Sequence, residues 1–165
     1  MNKIRMIALA ACMAATLDAS AQEQEIRLFS HRGGRMEHDE NTLSAFQASY
    51  DAGYRGFETD IRMTRDGALV ITHDSSLERT TDGTGTVEEK TEAEIRQLAT
   101  KQGNKMMFLD ELLEFLKGKE GLYVEFEMKT KPVELYPEER LHAYCDKLYD
   151  AVMAVKPADA VFVFT

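Results

Sequence analysis

The sequence predicts an α/β protein whose strands pair in parallel. Three observations carry this. Strand-like and helix-like segments alternate along the chain from residue 26 to residue 164, the order that builds a parallel sheet covered by helices. Leu141, Tyr144, Cys145, Leu148, Val152 and Val155 recur at helical spacing. Ala160 to Phe164 is an uninterrupted apolar run, the composition of a buried strand.

Ile26 to Ser30 reads as a first strand, running into the break His31-Arg32-Gly33-Gly34. Asn41 is placed to cap a helix from Thr42 to about Ala52, with Gly53 stopping it. Gly56 to Ile61 is a second strand. Asp66-Gly67 is a two-residue hairpin signal, and Ala68 to His73 returns as a strand. Leu77 to Glu89 is polar and rich in Gly and Thr, a loop. Thr91-Glu92-Ala93-Glu94 is a capping box opening a short helix to Ala99. Leu109 to Lys117 is a helix with acids at its start, and Gly118 follows it. Leu122 to Met128 is a strand. Pro137 suits the first turn of the long helix that Lys156-Pro157 ends.

The chain has 165 residues and is 44% hydrophobic, which excludes a disordered chain. It carries 20 Lys and Arg against 29 Asp and Glu, a formal charge of −9. That acidic balance argues against a nucleic-acid partner, since phosphate backbones need a basic face. Lys3 and Arg5, the apolar run Met6 to Leu17 and the small residues Ala19-Ser20-Ala21 form a signal-peptide pattern over residues 1–21. The run is too short to span a bilayer. The expected product is residues 22–165, secreted or periplasmic. Leu9-Ala10-Ala11-Cys12 is the alternative, a lipoprotein box with a lipid anchor at Cys12. In residues 22–165 Cys145 is the one cysteine, so no internal disulfide is expected, and it reads as an inert thiol on an apolar stripe.

Chemistry concentrates on two strands. Glu58 and Asp60 share one face of the second strand, with Phe57, Thr59 and Ile61 on the other. Two unpaired acids on a central strand are costly, and a metal ion or cationic substrate offsets that cost. A two-residue turn at Asp66-Gly67 sets Arg65 opposite Ala68 and therefore Asp60 opposite His73, with Cβ atoms roughly 5 Å apart. Glu125, Glu127 and Lys129 alternate in the same way with Phe126 and Met128. His31 and Arg32 follow a strand end, where α/β folds place catalytic groups. Carboxylates suit Mg²⁺ or Ca²⁺; two His with an acid suit Zn²⁺. The lack of closely spaced His or Cys favours the oxygen-ligand ion, leaving two His for acid–base work near neutral pH.

The ordered set His31-Arg32-Gly33, Glu40-Asn41-Thr42 with Ala45-Phe46, Glu58-x-Asp60, Thr64-x-Asp66-Gly67, His73-Asp74, Leu77 with Arg79-Thr80-Thr81, Gly83-x-Gly85 and Glu127-x-Lys129 resembles the glycerophosphodiester phosphodiesterase family from about residue 28 to 130. The resemblance implies a TIM (β/α)8 barrel and hydrolysis of glycerophosphodiesters to glycerol 3-phosphate and an alcohol. It implies one divalent cation, Ca²⁺ or Mg²⁺, on Glu58, Asp60 and Glu127. It implies His31 and His73 as the acid–base pair, Arg32 and Lys129 on the phosphate, and a small insertion over about residues 75–107 at the barrel mouth. Two departures stand out: Glu125, where relatives often have Asn, and the loop Arg35 to Asp39, which lacks a frequent proline. A full barrel takes about 250 residues, so residues 22–165 are expected to hold about four strands, the first half of a barrel incomplete at its C-terminus. The alternatives are a related barrel phospholipase acting on sphingomyelin or lysophospholipid, and a non-catalytic fragment or binding protein.

Overall fold

A computed structural model describes residues 27–157 and 159–165. The expected leader, residues 1–21 with Cys12, lies outside the described residues. The strands are β1 (Phe29–His31), β2 (Gly56–Met63), β3 (Leu69–Ile71), β4 (Tyr123–Met128) and β5 (Asp159–Phe164). The helices are α1 (Leu43–Asp51), α2 (Glu92–Ile95), α3 (Leu109–Leu116) and α4 (Glu138–Val155). One sheet runs β1-β2-β4-β5, all parallel, with β3 antiparallel on β2. Four successive parallel strands in chain order, with helices on one side, are the arrangement of a (β/α)8 barrel.

Period two divides the strands into two faces. Phe57, Ile61 and Met63 of β2 and Val124, Phe126 and Met128 of β4 pack on Phe46 of α1, Leu112, Leu113 and Leu116 of α3, and Tyr144, Leu148 and Val152 of α4. The helical stripe expected on α4 is therefore its core face, and Cys145 is a half-buried free thiol on its flank. Burial pushes that thiol's pKa up, which keeps it protonated and inert. The opposite face of the sheet carries Glu58, Asp60, Glu125 and Glu127. Residues 75–107 fold over β3 around a second apolar cluster, in which Leu77, Val87, Ile95 and Met106 pack on Val70 and Phe108. The Thr91–Glu94 capping box is present, but the helix it opens ends at Ile95 rather than Ala99.

Three further expectations need correction. The hairpin turn has three residues, not two. Thr64 N–H donates to the Ala68 carbonyl at 2.9 Å, and Gly67 closes the loop at a φ of +88°. Ile61 therefore pairs with Ile71 and Met63 with Leu69. Asp60 lies opposite Thr72, whose N–H donates to the Asp60 carbonyl at 3.0 Å; His73 is one residue out of that register. The α1 cap is Thr42, whose hydroxyl accepts the Ala45 N–H, not Asn41. β5 is half-buried rather than buried, with Phe164 exposed, because among the described strands it pairs only with β4.

Candidate active site

The site lies at the C-terminal ends of β1, β2 and β4. His31 closes β1, and its Nε2 sits 3.6 Å from Glu58 Oε2. The chain then reverses through Arg32, Gly33 and Gly34, with φ values of 54°, 75° and 103°. A Cβ on Gly33 would meet the Phe46 ring at 2.9 Å, so glycine is required there by both conformation and space. The reversal aims the Arg32 backbone N–H at Glu58 Oε2, at 2.8 Å. The Arg32 side chain turns inward: Nη1 donates to Glu40 Oε1 at 3.2 Å, and Nε lies 3.1 Å from Asp60 Oδ2.

Parallel pairing of β2 with β4 sets Asp60 beside Glu127 and Glu58 beside Glu125. Glu58, Asp60 and Glu127 each offer one carboxylate oxygen, and these oxygens lie within 4.8 Å of one another. Burial first, and the Asp60 charge next, push the Glu58 carboxyl up to about 8. Glu127 goes the other way. Burial works against its charge, but the hydrogen bond and charge of the Lys129 ammonium, together with hydrogen bonds from Thr165 and Asp60, outweigh it, and its pKa falls. Lys129 Nζ also lies 3.1 Å from Asp60 Oδ1. Glu58 Oε1 and Asp60 Oδ1 accept no hydrogen bond among the described residues. Hard oxygen donors, two of them buried and without a hydrogen bond, fit a hard divalent cation such as Ca²⁺ or Mg²⁺.

His31, Arg32 and Lys129 are thus drawn together with the three carboxylates, while His73 and Glu125 are not in direct polar contact with that cluster among the described residues. His73 approaches from the segment after β3. Its Nδ1 lies 2.6 Å from Asp74 Oδ1, and Arg62 Nε donates to its carbonyl at 2.9 Å. Among the described residues it bonds to none of the three carboxylates. Glu125 is half-buried beside Glu58, outside the three-carboxylate cluster and without a polar partner among the described residues. On His31, burial and then the charges of Arg32 and Arg35 lower the pKa, favouring the neutral ring.

Sequence reasoning missed two supports. Asn41 adopts a φ of 58°, donates its side-chain N–H to Asp60 Oδ2 at 2.9 Å and its backbone N–H to the Arg32 carbonyl at 2.9 Å. Its signal was its residue type, since Asn tolerates the left-handed region. Buried Glu88, within the 75–107 segment, accepts from Arg62 Nη1 at 2.7 Å and from the Tyr136 hydroxyl at 2.8 Å; no local pattern marks that long-range pair.

Comparisons with known proteins agree with this geometry. A glycerophosphodiester phosphodiesterase of Caldanaerobacter subterraneus is 37% identical over 123 residues, covering 69% of this chain and 50% of the relative. The crystal structure of a glycerophosphodiester phosphodiesterase from Agrobacterium tumefaciens superposes with a TM-score of 0.70 at 28% identity, over 85% of this chain and 58% of that one. A phosphodiesterase from Oleispira antarctica, solved in complex with the product sn-glycerol-3-phosphate, gives a TM-score of 0.70 at 27% identity, over 84% of this chain and 56% of that one. The chain spans about half the length of these relatives. Residues 31–161 match the Glycerophosphoryl diester phosphodiesterase family. From His31 at the end of β1 to the last described strand, the chain belongs to that family.

Proposed function

We propose that this chain supplies the catalytic groups of a metal-dependent phosphodiesterase that converts glycerophosphodiesters to glycerol 3-phosphate and an alcohol. The observation that carries this reading is the cluster of Glu58, Asp60 and Glu127, with two buried oxygens that accept no hydrogen bond among the described residues, flanked by His31, Arg32 and Lys129. Family membership and the product bound to the Oleispira relative support it. The three carboxylates would hold one Ca²⁺ or Mg²⁺, which when bound supplies positive charge to the phosphoryl oxygens. Arg32 and Lys129 hold further positive charge beside the carboxylates, where a net charge of −9 would otherwise repel an anionic substrate. His31 and His73 act as the acid–base pair. One takes the proton of the glycerol's own adjacent hydroxyl as it attacks phosphorus, and the other returns a proton to the leaving alkoxide; water then opens the resulting cyclic phosphate to glycerol 3-phosphate. The leader pattern in residues 1–21 makes this an exported activity.

The test is hydrolysis of glycerophosphocholine by the protein with Ca²⁺ or Mg²⁺ and with excess chelator, beside sphingomyelin and lysophosphatidylcholine. The reading expects glycerol 3-phosphate only when metal is present. Full activity in chelator refutes the metal role, and preference for either lipid moves the protein to the phospholipases.

A further inference from the structure

The mouth of the site carries an unbroken chain of polar contacts whose middle members, Asp74, Arg79 and Glu40, the proposed chemistry does not use. It begins at His73, whose Nδ1 meets Asp74 Oδ1 at 2.6 Å. The other Asp74 oxygen accepts from Arg79 Nε. Arg79 then takes Glu40 with both terminal nitrogens, Nη2 to Oε1 at 2.7 Å and Nη1 to Oε2 at 3.1 Å. Glu40 Oε1 also accepts from Arg32 Nη1 at 3.2 Å, and Arg32 runs on to Asp60. One guanidinium therefore ties the β1–α1 loop, which holds Arg32, to the segment after β3, which holds His73.

We propose that Arg79 is a positioning residue, clamping Asp74 against His73 and Glu40 against Arg32 so that the two groups keep a fixed relation. The inference rests on the proposed function for what His73 and Arg32 do. Asp74 is half-buried, and burial works against its charge. The hydrogen bonds from Arg79 and then His73 outweigh burial and hold its carboxyl below the usual range. It is therefore ionised at neutral pH and can only accept, so the proton in that contact lies on His73 Nδ1, which leaves Nε2 as the ring nitrogen outside it. Glu40 is likewise held low against burial, by Arg79 first and then Arg32. Arg79 itself is 47% exposed, and ion pairs that exposed contribute little stability. Three directed bonds on a half-exposed side chain have their effect on geometry instead. Lysine has the charge but not the planar fork that reaches both carboxylates.

The experiment combines kinetics on glycerophosphocholine with ¹⁵N NMR of the histidine rings in the full chain. Asp74→Asn is expected to lower kcat about 10- to 100-fold with KM nearly unchanged, and Glu40→Gln to raise KM with kcat nearly unchanged. Arg79→Gln should do both and shift the His73 ring from the Nδ1–H toward the Nε2–H tautomer. Arg79→Lys should follow Arg79→Gln, and it replaces that variant if Arg79→Gln fails to fold. A purely structural Arg79 would change the melting temperature and leave the ring spectrum and both constants at wild-type values, which overturns the proposal. A wild-type protein inactive with every substrate and metal refutes the proposed function instead. The ring spectrum of the Arg79 variants then decides the clamp by itself.

Discussion

Strands β2 and β4 each have two faces built on opposite physics, both buried in β2 and one of them half-buried in β4. On one face Phe57, Ile61, Val124, Phe126 and Met128 meet helices, and their burial holds the domain together. On the other face, one residue along, Glu58 and Asp60 are just as buried, yet Glu58 Oε1 accepts no hydrogen bond among the described residues and Asp60 Oδ1 has only the Lys129 ion pair. Period two lets one strand carry both because alternate side chains never meet. The apolar face supplies the stability that the acidic face consumes, and it fixes the Asp60–Glu127 rung that brings carboxylates from two strands together.

Substitutions can set the two faces against each other. Phe126→Ala on the apolar face should cost about 3–5 kcal/mol in denaturant unfolding, a large share of a domain's stability. Glu58→Gln on the acidic face should act in the reverse sense. Its amide oxygen keeps the Arg32 N–H bond while the charge goes. Turnover should fall roughly 100-fold, about 2.7 kcal/mol on the barrier. In chelator its melting temperature should hold or rise. The pH dependence has the same origin. With the folded carboxyl at about 8 rather than 4.5, the native state holds a proton that the unfolded state has lost between those values. Metal-free stability therefore falls as pH rises through that window, and Glu58→Gln should flatten the slope. Thr42→Ala, which removes the α1 cap below both faces, should cost about 1 kcal/mol with no change in the pH slope. Glu125→Gln should be smallest, within about 0.5 kcal/mol in melts and about twofold in turnover. A larger loss of turnover would bring Glu125 into the metal cluster.

What the sequence discloses about these faces follows from range. The alternation through Glu58 and Asp60 is local, and the strand places those carboxylates as their spacing requires. The partner from β4 is 67 residues away, and its rung follows from sheet pairing that no local pattern encodes; the family resemblance supplied Glu127. The hairpin register failed by one residue because Asp-Gly marks two- and three-residue turns alike. Here the Thr64 hydroxyl donates to Asp66 Oδ1 at 2.7 Å and accepts the Ala68 N–H at 2.8 Å, favouring the longer loop. Asn41 was legible as a helix start and not as a support for Asp60, because its φ of 58° turns the side chain away from the helix.

The same sheet register has a consequence for the order of assembly. The β2–β3 hairpin joins residues 10 apart, Ile61 to Ile71, whereas the Asp60–Glu127 rung must close a span of 67. Closing long spans costs entropy before their contacts form. The segment between carries its own apolar cluster and shortens that search once it has collapsed onto β3. The hairpin and its overlying segment are therefore expected to form first and β4 to dock afterwards. A nascent chain would meet its three acids together only at the end, so repulsion among them is deferred until the rest of the core can oppose it.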